Sequence, residues 1–410
     1  MDCYDVRMTA PRIEISKRMR ALMAYPKMAG PVPRLFVLES NYWLDAACMR
    51  AAQRLGWEIE RAPVLLEGKM PREMVGDLVR RLITFRPDFV FSVNLSGMDE
   101  SGLFAGLFAD LGIPHVTWFV DDPRTILMGR SCYGSHFAIA LTWEAAYQGY
   151  LGASGFAGVY VMPLAADVPI FNAPPTEDAP LPPSFVGNSM TDFATREWAW
   201  IEKHPHLAAM LQEAFDAGRV TRQRFGQGIE TIFDPADLAR LDPDEHRHAE
   251  MLCFIEGTRR LRYDTVQALA PEGLVACGDE AWQQCTPHCG PYVNYTQELP
   301  RHYRVCSVNL NITSIQMATT VNQRVFDCPA AGGFLLTDAQ AALEDLFDVE
   351  HEVACYHTVE ECRELLRFYR EHPAARRTLT EKARKRVLGE HTYTHRLEQI
   401  AALVKEHFGD

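Results

Sequence analysis

Residues 307–338 read SVNLNITSIQMATTVNQRVFDCPAAGGFLLTD and have the pattern of one strand–helix–strand unit. The apolar run Val305–Ile312 predicts a buried strand, Val321–Cys328 predicts a short helix, and Gly333–Thr337 predicts the next strand. Thr320 and Gln323 have the spacing of a capping box, so we expect the helix to start beside the end of the first strand. Such a helix start attracts phosphate, because its free N–H groups point outward.

Three further residues of this stretch concern ligand binding. Asp327 lies one helical turn beyond Gln323, while Gly332 and Gly333 allow a tight exit from the helix and a close approach of the backbone. A capped helix followed by two glycines also occurs in any doubly wound α/β domain. The stretch alone therefore predicts the fold class and leaves the ligand open.

Four segments of the chain resemble one enzyme family. They are LNIT at 310–313, RVF with the acid that follows it, PAAGGFLLTD at 329–338, and EHTYTHR at 390–396. Together they resemble the donor-nucleotide site of GT-B glycosyltransferases, specifically the CgeB-like spore-maturation family with a glycosyltransferase group 1 C-terminal domain. Many group 1 enzymes carry a second acid eight residues before the first one, and here that position is Thr319.

The resemblance implies a site for a nucleotide sugar and assigns residues to it. Asp327 takes the place of the acid that binds the ribose hydroxyls, the helix start faces the phosphates, and Arg324 contacts the pyrophosphate as a catalytic residue. No cofactor is implied, since the nucleotide sugar, expected to be a UDP-sugar, is a co-substrate. The donor-binding residues that we expect are Gly187, Asn188, Arg259, Asn311, Thr313, Thr320, Arg324, Asp327, Gly332 and Gly333.

Three of these assignments come from the residues themselves. Gly187 and Asn188 end the predicted strand SFVGN, where backbone groups can approach a phosphate. Arg259 begins the cation cluster in TRRLRYD, which we place at a helix start, where cations oppose the helix dipole and a bound anion would offset the conflict. A solvated basic turn explains that cluster equally well.

Length and composition narrow the function classes. A chain of 410 residues exceeds one comfortable core and predicts two domains. The formal net charge of -13 argues against a general nucleic-acid surface. The sequence has no apolar run long enough to span a membrane, and its start lacks the apolar core of a signal peptide. Its eleven scattered cysteines are typical of reduced thiols, so we expect a cytoplasmic protein. The close pair Cys285 and Cys289 lacks the second pair that a zinc site needs, so we expect no metal.

The order of apolar segments predicts an α/β fold of GT-B type, with two doubly wound Rossmann-like domains facing a central cleft. Residues 1–165 form the predicted N-terminal acceptor-side domain, 166–183 a proline-rich linker, and 184–390 the nucleotide-sugar domain with a helical insertion at 191–250. The resemblance implies that the helix at 391–410 crosses back to the N-terminal domain. The predicted strands are 34–40, 57–64, 88–94, 115–120, 137–142 and 158–163 in the first domain, and 184–188, 251–257 and 274–279 in the second.

Polar residues follow several strands of the first predicted sheet. A carboxylate after a buried strand lies at the mouth of the sheet, where it can bind sugar hydroxyls or accept a proton. We expect Asp121 to be catalytic in this way, and Asn41, Asn94, Ser96 and Asp122 to be on the acceptor side. For Asp122, which precedes Pro123, a helix cap is an equally good interpretation.

These features predict a metal-independent glycosyltransferase that moves a sugar from the nucleotide-sugar donor to a hydroxyl on a glycan or protein. We expect the enzyme to have no nucleic-acid partner and no membrane span. Three alternatives remain at this stage. A sugar-nucleotide epimerase shares the two-domain shape, and a non-catalytic protein that binds nucleotides or glycans is compatible with Thr319. A dinucleotide-dependent enzyme is disfavoured, because no G-x-G-x-x-G follows an early strand.

Overall fold

A computed structural model describes residues 13–40, 42–62, 72–128, 130, 132–172 and 180–409, with backbone alone for 72–74. The chain divides into two compact units. The N-terminal unit contains Met1–Pro163 with Tyr393–Asp410, and the C-terminal unit contains Leu164–Thr392. Each unit has a parallel six-stranded sheet surrounded by helices, which confirms the predicted fold class of two doubly wound domains.

The sheet of the N-terminal unit has the strand order β2-β1-β3-β4-β5-β6, and all its pairs are parallel. Its strands are β1 (Arg34–Leu38), β2 (Glu58–Ala62), β3 (Phe89–Val93), β4 (His115–Phe119), β5 (Ala138–Thr142) and β6 (Gly158–Val161). The helices between them are α1 (Lys17–Met23), α2 (Trp43–Arg54), α3 (Arg72–Phe85), α4 (Leu103–Asp110), α5 (Pro123–Leu127) and α6 (Gln148–Ala153). All six strands lie where the sequence predicts them, because β3, β4 and β5 are buried along their whole length and read as unbroken apolar runs.

One buried histidine in this sheet makes the unit sensitive to acid. The ring of His115 in β4 is 2% exposed and lies 2.9 Å from the Ser92 hydroxyl through Nε2. Its Nδ1 atom has no hydrogen-bond partner within the part of the chain that the structure describes. Burial lowers the pKa of His115 from 6.5 to about 3, so the ring is neutral in the folded protein.

We expect the N-terminal unit of the wild type to lose stability between pH 6.5 and pH 5 relative to His115→Gln. Below 6.5 the unfolded chain binds a proton at this residue, whereas the folded ring stays neutral down to about 3. The loss is about 1.4 kcal/mol per pH unit, roughly 2 kcal/mol over the range. Urea unfolding of both proteins at several pH values measures it, and parallel pH profiles would contradict the assignment.

The sheet of the C-terminal unit has the order β12-β11-β10-β7-β8-β9, again with every pair parallel. Its strands are β7 (Ser184–Val186), β8 (Val275–Cys277), β9 (Cys289–Gly290), β10 (Asn309–Leu310), β11 (Leu335–Asp338) and β12 (Ala354–Tyr356). Its helices are α7 (Val168–Phe171), α8 (Thr191–Ile201), α9 (Pro205–Asp216), α10 (Arg222–Gln227), α11 (Pro235–Leu238), α12 (Pro243–Leu269), α13 (Leu299–Val305), α14 (Arg324–Ala330), α15 (Leu343–Leu346), α16 (Val359–Glu371) and α17 (Pro373–Glu390). Successive strands add on one side of β7 and then, from β10 onward, on the other. The direction in which strands are added to the sheet therefore reverses between β7 and β10.

One predicted strand of this unit is wrong. Residues 251–257 belong to α12, a helix of 27 residues. Asp242 caps it by accepting hydrogen bonds from two backbone N–H groups, and Glu245 completes a capping box by accepting from the backbone N–H of Asp242. The apolar run MLCFI is thus the buried side of a long helix, and the helical insertion continues past residue 250.

The strand and the helix of the 307–338 stretch are both shorter than predicted. β10 spans two residues, because α13 occupies the chain up to Val305. Helix α14 starts at Arg324, and its N-cap residue Gln323 makes no side-chain capping bond, so the Thr320–Gln323 capping box is wrong. Asp327 consequently lies in the first turn of α14.

The last helix, α18 (Tyr393–Phe408), belongs to the N-terminal unit. Tyr393 contacts the rings of Trp43 and Trp118 edge-on, and Phe408 stacks on Phe137. Arg396 donates a hydrogen bond of 2.8 Å to the Pro163 carbonyl. The boundary between the units falls after Pro163, so residues 164 and 165 of the predicted N-terminal domain, and residues 166–172 and 180–183 of the predicted linker, belong to the C-terminal unit.

Membrane-spanning helices and disulfide bonds are both absent from the described residues. None of their helices is both long and apolar enough to cross a membrane. Every cysteine among them carries a free thiol.

Candidate functional site

A cavity opens at the carboxyl ends of β7 and β10, where the strand order of the C-terminal sheet reverses. Doubly wound sheets bind ligands at this position, because the loops after the two strands diverge there. The cavity measures about 380 Å³. Its walls are Val186, Gly187, Asn188, Gly278, Asp279, Tyr292, Val293, Tyr295, Leu299, Tyr303, Asn322, Gln323, Arg324 and Asp327.

Arg324, the first residue of α14, bridges the two strands at the reversal. Its guanidinium donates to the Asn311 side-chain oxygen after β10 and to the Val186 carbonyl at the end of β7. Its Cζ atom lies 5.0 Å from the centroid of the Phe185 ring. Its Nε is buried without a hydrogen-bond partner in the described residues.

Arg262, from α12, also lies against the Phe185 ring. Its Cζ atom lies 5.8 Å from the Phe185 ring centroid, and its Nη1 donates to the Asn188 carbonyl at 2.7 Å. Burial and then the charge of Arg324 lower the pKa of Arg262 to about 10. Its Nε is also buried without a partner in the part of the chain that is described.

The two arginines form a positive centre that carboxylates do not neutralise. Over residues 13–409, with the undescribed positions set aside, neither Arg262 nor Arg324 makes a salt bridge. Asp279 and Asp338 act on Arg262 only from a longer distance. The two half-buried cations repel each other, and a bound anion would relieve that repulsion.

Two glycines make the floor of this crevice. A Cβ atom on Gly278 would lie 2.2 Å from the Gly187 carbonyl oxygen, and one on Gly187 would lie 2.9 Å from the Phe185 ring. The Trp282 indole N–H donates to the same Gly187 carbonyl at 2.9 Å. The loops after β7 and β8 can pack this closely only because both residues lack side chains.

Asp327 lines the cavity, but its carboxylate is occupied by protein groups. The side chain is 1% exposed. Tyr295 donates its hydroxyl to Oδ2 at 2.7 Å, and Gln323 donates to Oδ1 at 2.9 Å. Burial, with a further contribution from the Asp167 charge, raises the pKa of Asp327 well above its ordinary value. A ribose diol would have to replace one of these donors, so the expected ribose role stays a prediction.

Three other donor-binding assignments fall on residues outside the cavity wall. Asn311 is fully buried and holds Arg324, so it is a positioning residue. The Thr313 hydroxyl donates at 2.8 Å to Asp338, which fixes the loop after β10. Thr320 is buried and does not line the cavity.

The structure corrects the assignment of Gly332 and Gly333. Helix α14 runs away from the crevice, so the residues after it lie at the amino ends of β10 and β11. Gly332 has φ +82° after the last turn of α14, where a glycine commonly ends a helix. A Cβ on Gly333 would lie 2.4 Å from the Tyr303 carbonyl oxygen. Both glycines therefore serve chain packing at the edge opposite the cavity.

Arg259 is also placed differently from expectation. The cluster of three arginines lies inside α12, and successive residues of a helix point about 100° apart. Arg259 and Arg260 both pair with Glu256, at 2.6 and 2.7 Å. Arg262 instead contacts the cavity-wall residue Asn188, and the sequence did not single it out from its two neighbours.

The sequence analysis missed Arg222, which begins α10 in the helical insertion. Its guanidinium donates to Asp338 at 2.6 Å and to the Thr313 carbonyl at 2.7 Å. The insertion is thereby fixed to the carboxyl end of β11. Tyr295 was missed as well, because no local pattern shows that a tyrosine before α13 lies beside Asp327.

The N-terminal unit has a second group of polar residues, after β3 and β4. Asn94 donates to the Asp121 carboxylate at 2.8 Å and accepts from the Val120 N–H at 2.9 Å. Asn94 and Leu95 have φ values of 52° and 58°, a conformation rare for residues other than glycine. Partial burial and the nearby Asp121 charge raise the pKa of Tyr42.

The remaining acceptor-side assignments are less well supported. Ser96 is partly buried in the same loop as Asn94. The Asp122 carboxylate caps α5 through the Arg124 N–H and pairs with the Arg124 guanidinium, so its oxygens are committed to the fold. Asn41 lies outside the described residues. No group of three or more His, Cys, Asp or Glu residues in the described ranges is arranged to hold a metal ion.

Comparison with known proteins gives a family match for part of the chain. Residues 255–402 match the family described as "Glycosyl transferase-like". No curated protein sequence matches the chain. The CgeB-like subfamily suggested by the sequence motifs has no support in these matches and remains a hypothesis.

Several solved structures share the whole fold at low sequence identity. Sucrose-phosphate synthase from Thermosynechococcus elongatus is 12% identical, covers 92% of this chain and 99% of its own, and has a TM-score of 0.52. Anabaena HepE in complex with UDP-glucose is 11% identical, with 91% and 100% coverage and a TM-score of 0.54. A glycosyltransferase from Rickettsia africae is 8% identical, with 92% and 99% coverage and a TM-score of 0.53. The chain thus has the GT-B fold, and its residues 255–402 match a glycosyl transferase-like family.

Proposed function

We propose that this protein transfers a sugar from a UDP-sugar to a hydroxyl group on a glycan or protein acceptor, without a metal ion. One observation carries the proposal: Arg324 in the cavity wall and Arg262, which contacts the wall residue Asn188, both lie against the Phe185 ring without a salt-bridge partner in the described residues. A diphosphate supplies the negative charge that this pair lacks. HepE, which shares the fold, is solved with UDP and with UDP-glucose.

The chemistry proposed for the arginines is stabilisation of the leaving group. The bond between the anomeric carbon and the diphosphate oxygen breaks, and the acceptor oxygen forms the new bond to that carbon. Negative charge then grows on the diphosphate, and fixed guanidiniums stabilise it in the transition state. Asn311 supports this role, because it fixes the direction in which Arg324 points.

The acceptor side of the proposal rests on the N-terminal unit. Asn94 and Asp121 lie after β3 and β4, next to the point where the order of that sheet reverses. A carboxylate there can bind the acceptor hydroxyl and receive its proton. The catalytic role of Asp121, the cytoplasmic location and the absence of nucleic-acid partners all stay predictions.

A panel of nucleotide sugars tests the function. We expect slow release of UDP from one UDP-sugar when the protein is incubated without acceptor, because water then takes the acceptor's place. Release of an epimerised nucleotide sugar would instead identify an epimerase. Tight binding without any turnover would identify a non-catalytic binding protein, and no binding of any nucleotide sugar would refute the proposal.

Asp327→Asn tests the ribose contact. If the carboxylate binds the ribose diol, the substitution should weaken UDP binding by about 1.5–3 kcal/mol, roughly 10- to 100-fold. The variant should also lose the preference for UDP over its 2′,3′-dideoxy analogue. Titration calorimetry with both nucleotides measures the two effects.

Tyr295→Phe is the matched control for that experiment. It removes the hydroxyl that occupies Oδ2 of Asp327 but keeps the aromatic ring. We expect UDP to bind this variant at least as tightly as the wild type, since the ribose then meets a free oxygen. An unchanged preference for the ribose diol in Asp327→Asn would place the ribose elsewhere.

A further inference from the structure

A second cavity, of about 550 Å³, lies in the C-terminal unit at the amino ends of β10 and β11. Ser307 and Phe334, just before these strands, form part of its wall. The site proposed for the donor nucleotide opens at the carboxyl ends of the same sheet. The two cavities share no lining residue. We call this second one the basic cavity.

Five cations and one acid line the basic cavity. They are Arg304, Arg376, Arg377, Arg384, Lys385 and Glu381. The chain as a whole has a formal net charge of -13, so composition does not explain such a cluster. The volume is that of a small-molecule site, and apolar residues complete the wall.

Two cations of this cavity, Arg376 and Arg384, are held in position by neutral groups. Arg384 donates to the Ala330 carbonyl at 3.2 Å and to the Asn172 side-chain oxygen at 2.5 Å. Arg376 donates to the Tyr369 carbonyl at 2.8 Å. Carbonyl and amide oxygens fix the geometry of a guanidinium but leave its full charge uncompensated.

The opposite side of the same helix shows a different arrangement. Arg386 of α17 pairs with Glu352 at 2.9 Å and with Glu390 at 2.7 Å. Within the described ranges, Arg377 and Lys385 make no salt bridge, although Glu381 lies one helical turn from each. Burial, together with the charge of Arg377, lowers the pKa of Arg376, as expected where cations crowd without anions.

An unused hydrogen-bond donor completes the cavity. The hydroxyl oxygen of Ser307 is buried and has no partner in the described part of the chain. A buried hydroxyl without a partner costs free energy unless a ligand or water satisfies it. Fixed arginines, a lysine and a hydroxyl are together the groups that bind phosphate.

We propose that the basic cavity is a second anion site, which binds a phosphate ester or diphosphate independently of the donor cavity. A free phosphorylated molecule and the headgroup of an anionic lipid both offer this chemistry. Occupation of the site would fix α17 against the amino ends of β10 and β11.

Inorganic pyrophosphate is the probe, and hydrogen exchange measured by mass spectrometry locates where it binds. We expect pyrophosphate to protect α17 and residues 304–307 in the wild type, whether or not UDP is present. In Arg377→Gln/Lys385→Gln this protection should require about tenfold more pyrophosphate, because two charged contacts are lost. Protection at residues 187–188 and in α14 should not change.

Arg386→Gln is the matched control, since it removes one cation from the other side of α17. It should leave the pyrophosphate affinity of the basic cavity unchanged. Equal affinity in the double variant and the wild type, or no protection of α17 in the wild type, would overturn the proposal. Vesicles of phosphatidylglycerol that compete with pyrophosphate would identify a lipid headgroup as the ligand, and lack of competition would identify a free phosphate ester.

Discussion

Arg324→Ala is expected to weaken UDP binding by about 3 kcal/mol, roughly 100-fold, because two charge-assisted hydrogen bonds to the diphosphate are lost. Uridine, which has no phosphate, should bind almost as it does to the wild type. The substitution also releases Asn311 and the Val186 carbonyl, which Arg324 now joins across the strand reversal. Titration calorimetry with uridine, UMP and UDP separates the phosphate contribution from the rest.

Two further variants make this experiment decisive. Arg324→Lys keeps the charge but cannot bridge two acceptors with a planar fork, so its loss should lie between those of the wild type and Arg324→Ala. Arg363, in the same unit, donates a hydrogen bond to the Ala268 carbonyl and does not line the cavity. The Arg363→Ala variant should therefore bind UDP normally. Equal losses for uridine and UDP in Arg324→Ala would show that the substitution damages the fold and does not remove a phosphate contact.

Gly278→Ala is expected to destabilise the C-terminal unit by about 1–3 kcal/mol and to abolish most UDP binding. The new Cβ atom would lie 2.2 Å from the Gly187 carbonyl oxygen and 3.0 Å from the Trp282 indole nitrogen. A backbone atom cannot move aside as a flexible side chain can. The loop after β7 must shift, and with it the wall of the donor cavity.

Gly389→Ala is the control for this prediction. A Cβ on Gly389, in α17, meets no atom within 4 Å, so alanine should be tolerated or stabilise the helix by about 0.5–1 kcal/mol. Urea unfolding followed by tryptophan fluorescence compares the variants, since Trp282 is fully buried beside the substituted loop. Wild-type stability in Gly278→Ala would show that the two loops are less tightly packed than described.

The two halves of the chain differ in how well local sequence predicts structure. Most strands of the N-terminal unit are short apolar runs, although β2 is mostly polar, and all six appear where they are predicted. The run MLCFI has the same local appearance but lies in α12, because the capping box at Asp242 and Glu245 starts a helix that continues through it. The start signal was present in the sequence as DPDE, and giving it weight would have corrected the assignment.

The sequence alone determined that two parallel sheets alternate with helices, because burial on both faces requires continuous apolar strands joined by amphipathic helices. It also pointed to Arg324 and Asp327 as residues of the ligand cavity. Only the tertiary structure decided which arginine of TRRLRYD contacts the wall of that cavity, since three neighbours on one helix point in different directions. The tertiary structure also placed Gly332 and Gly333 at the amino ends of the strands, because helix α14 separates them from the cavity at the carboxyl ends. It likewise brought the cations of α17 together around a second cavity.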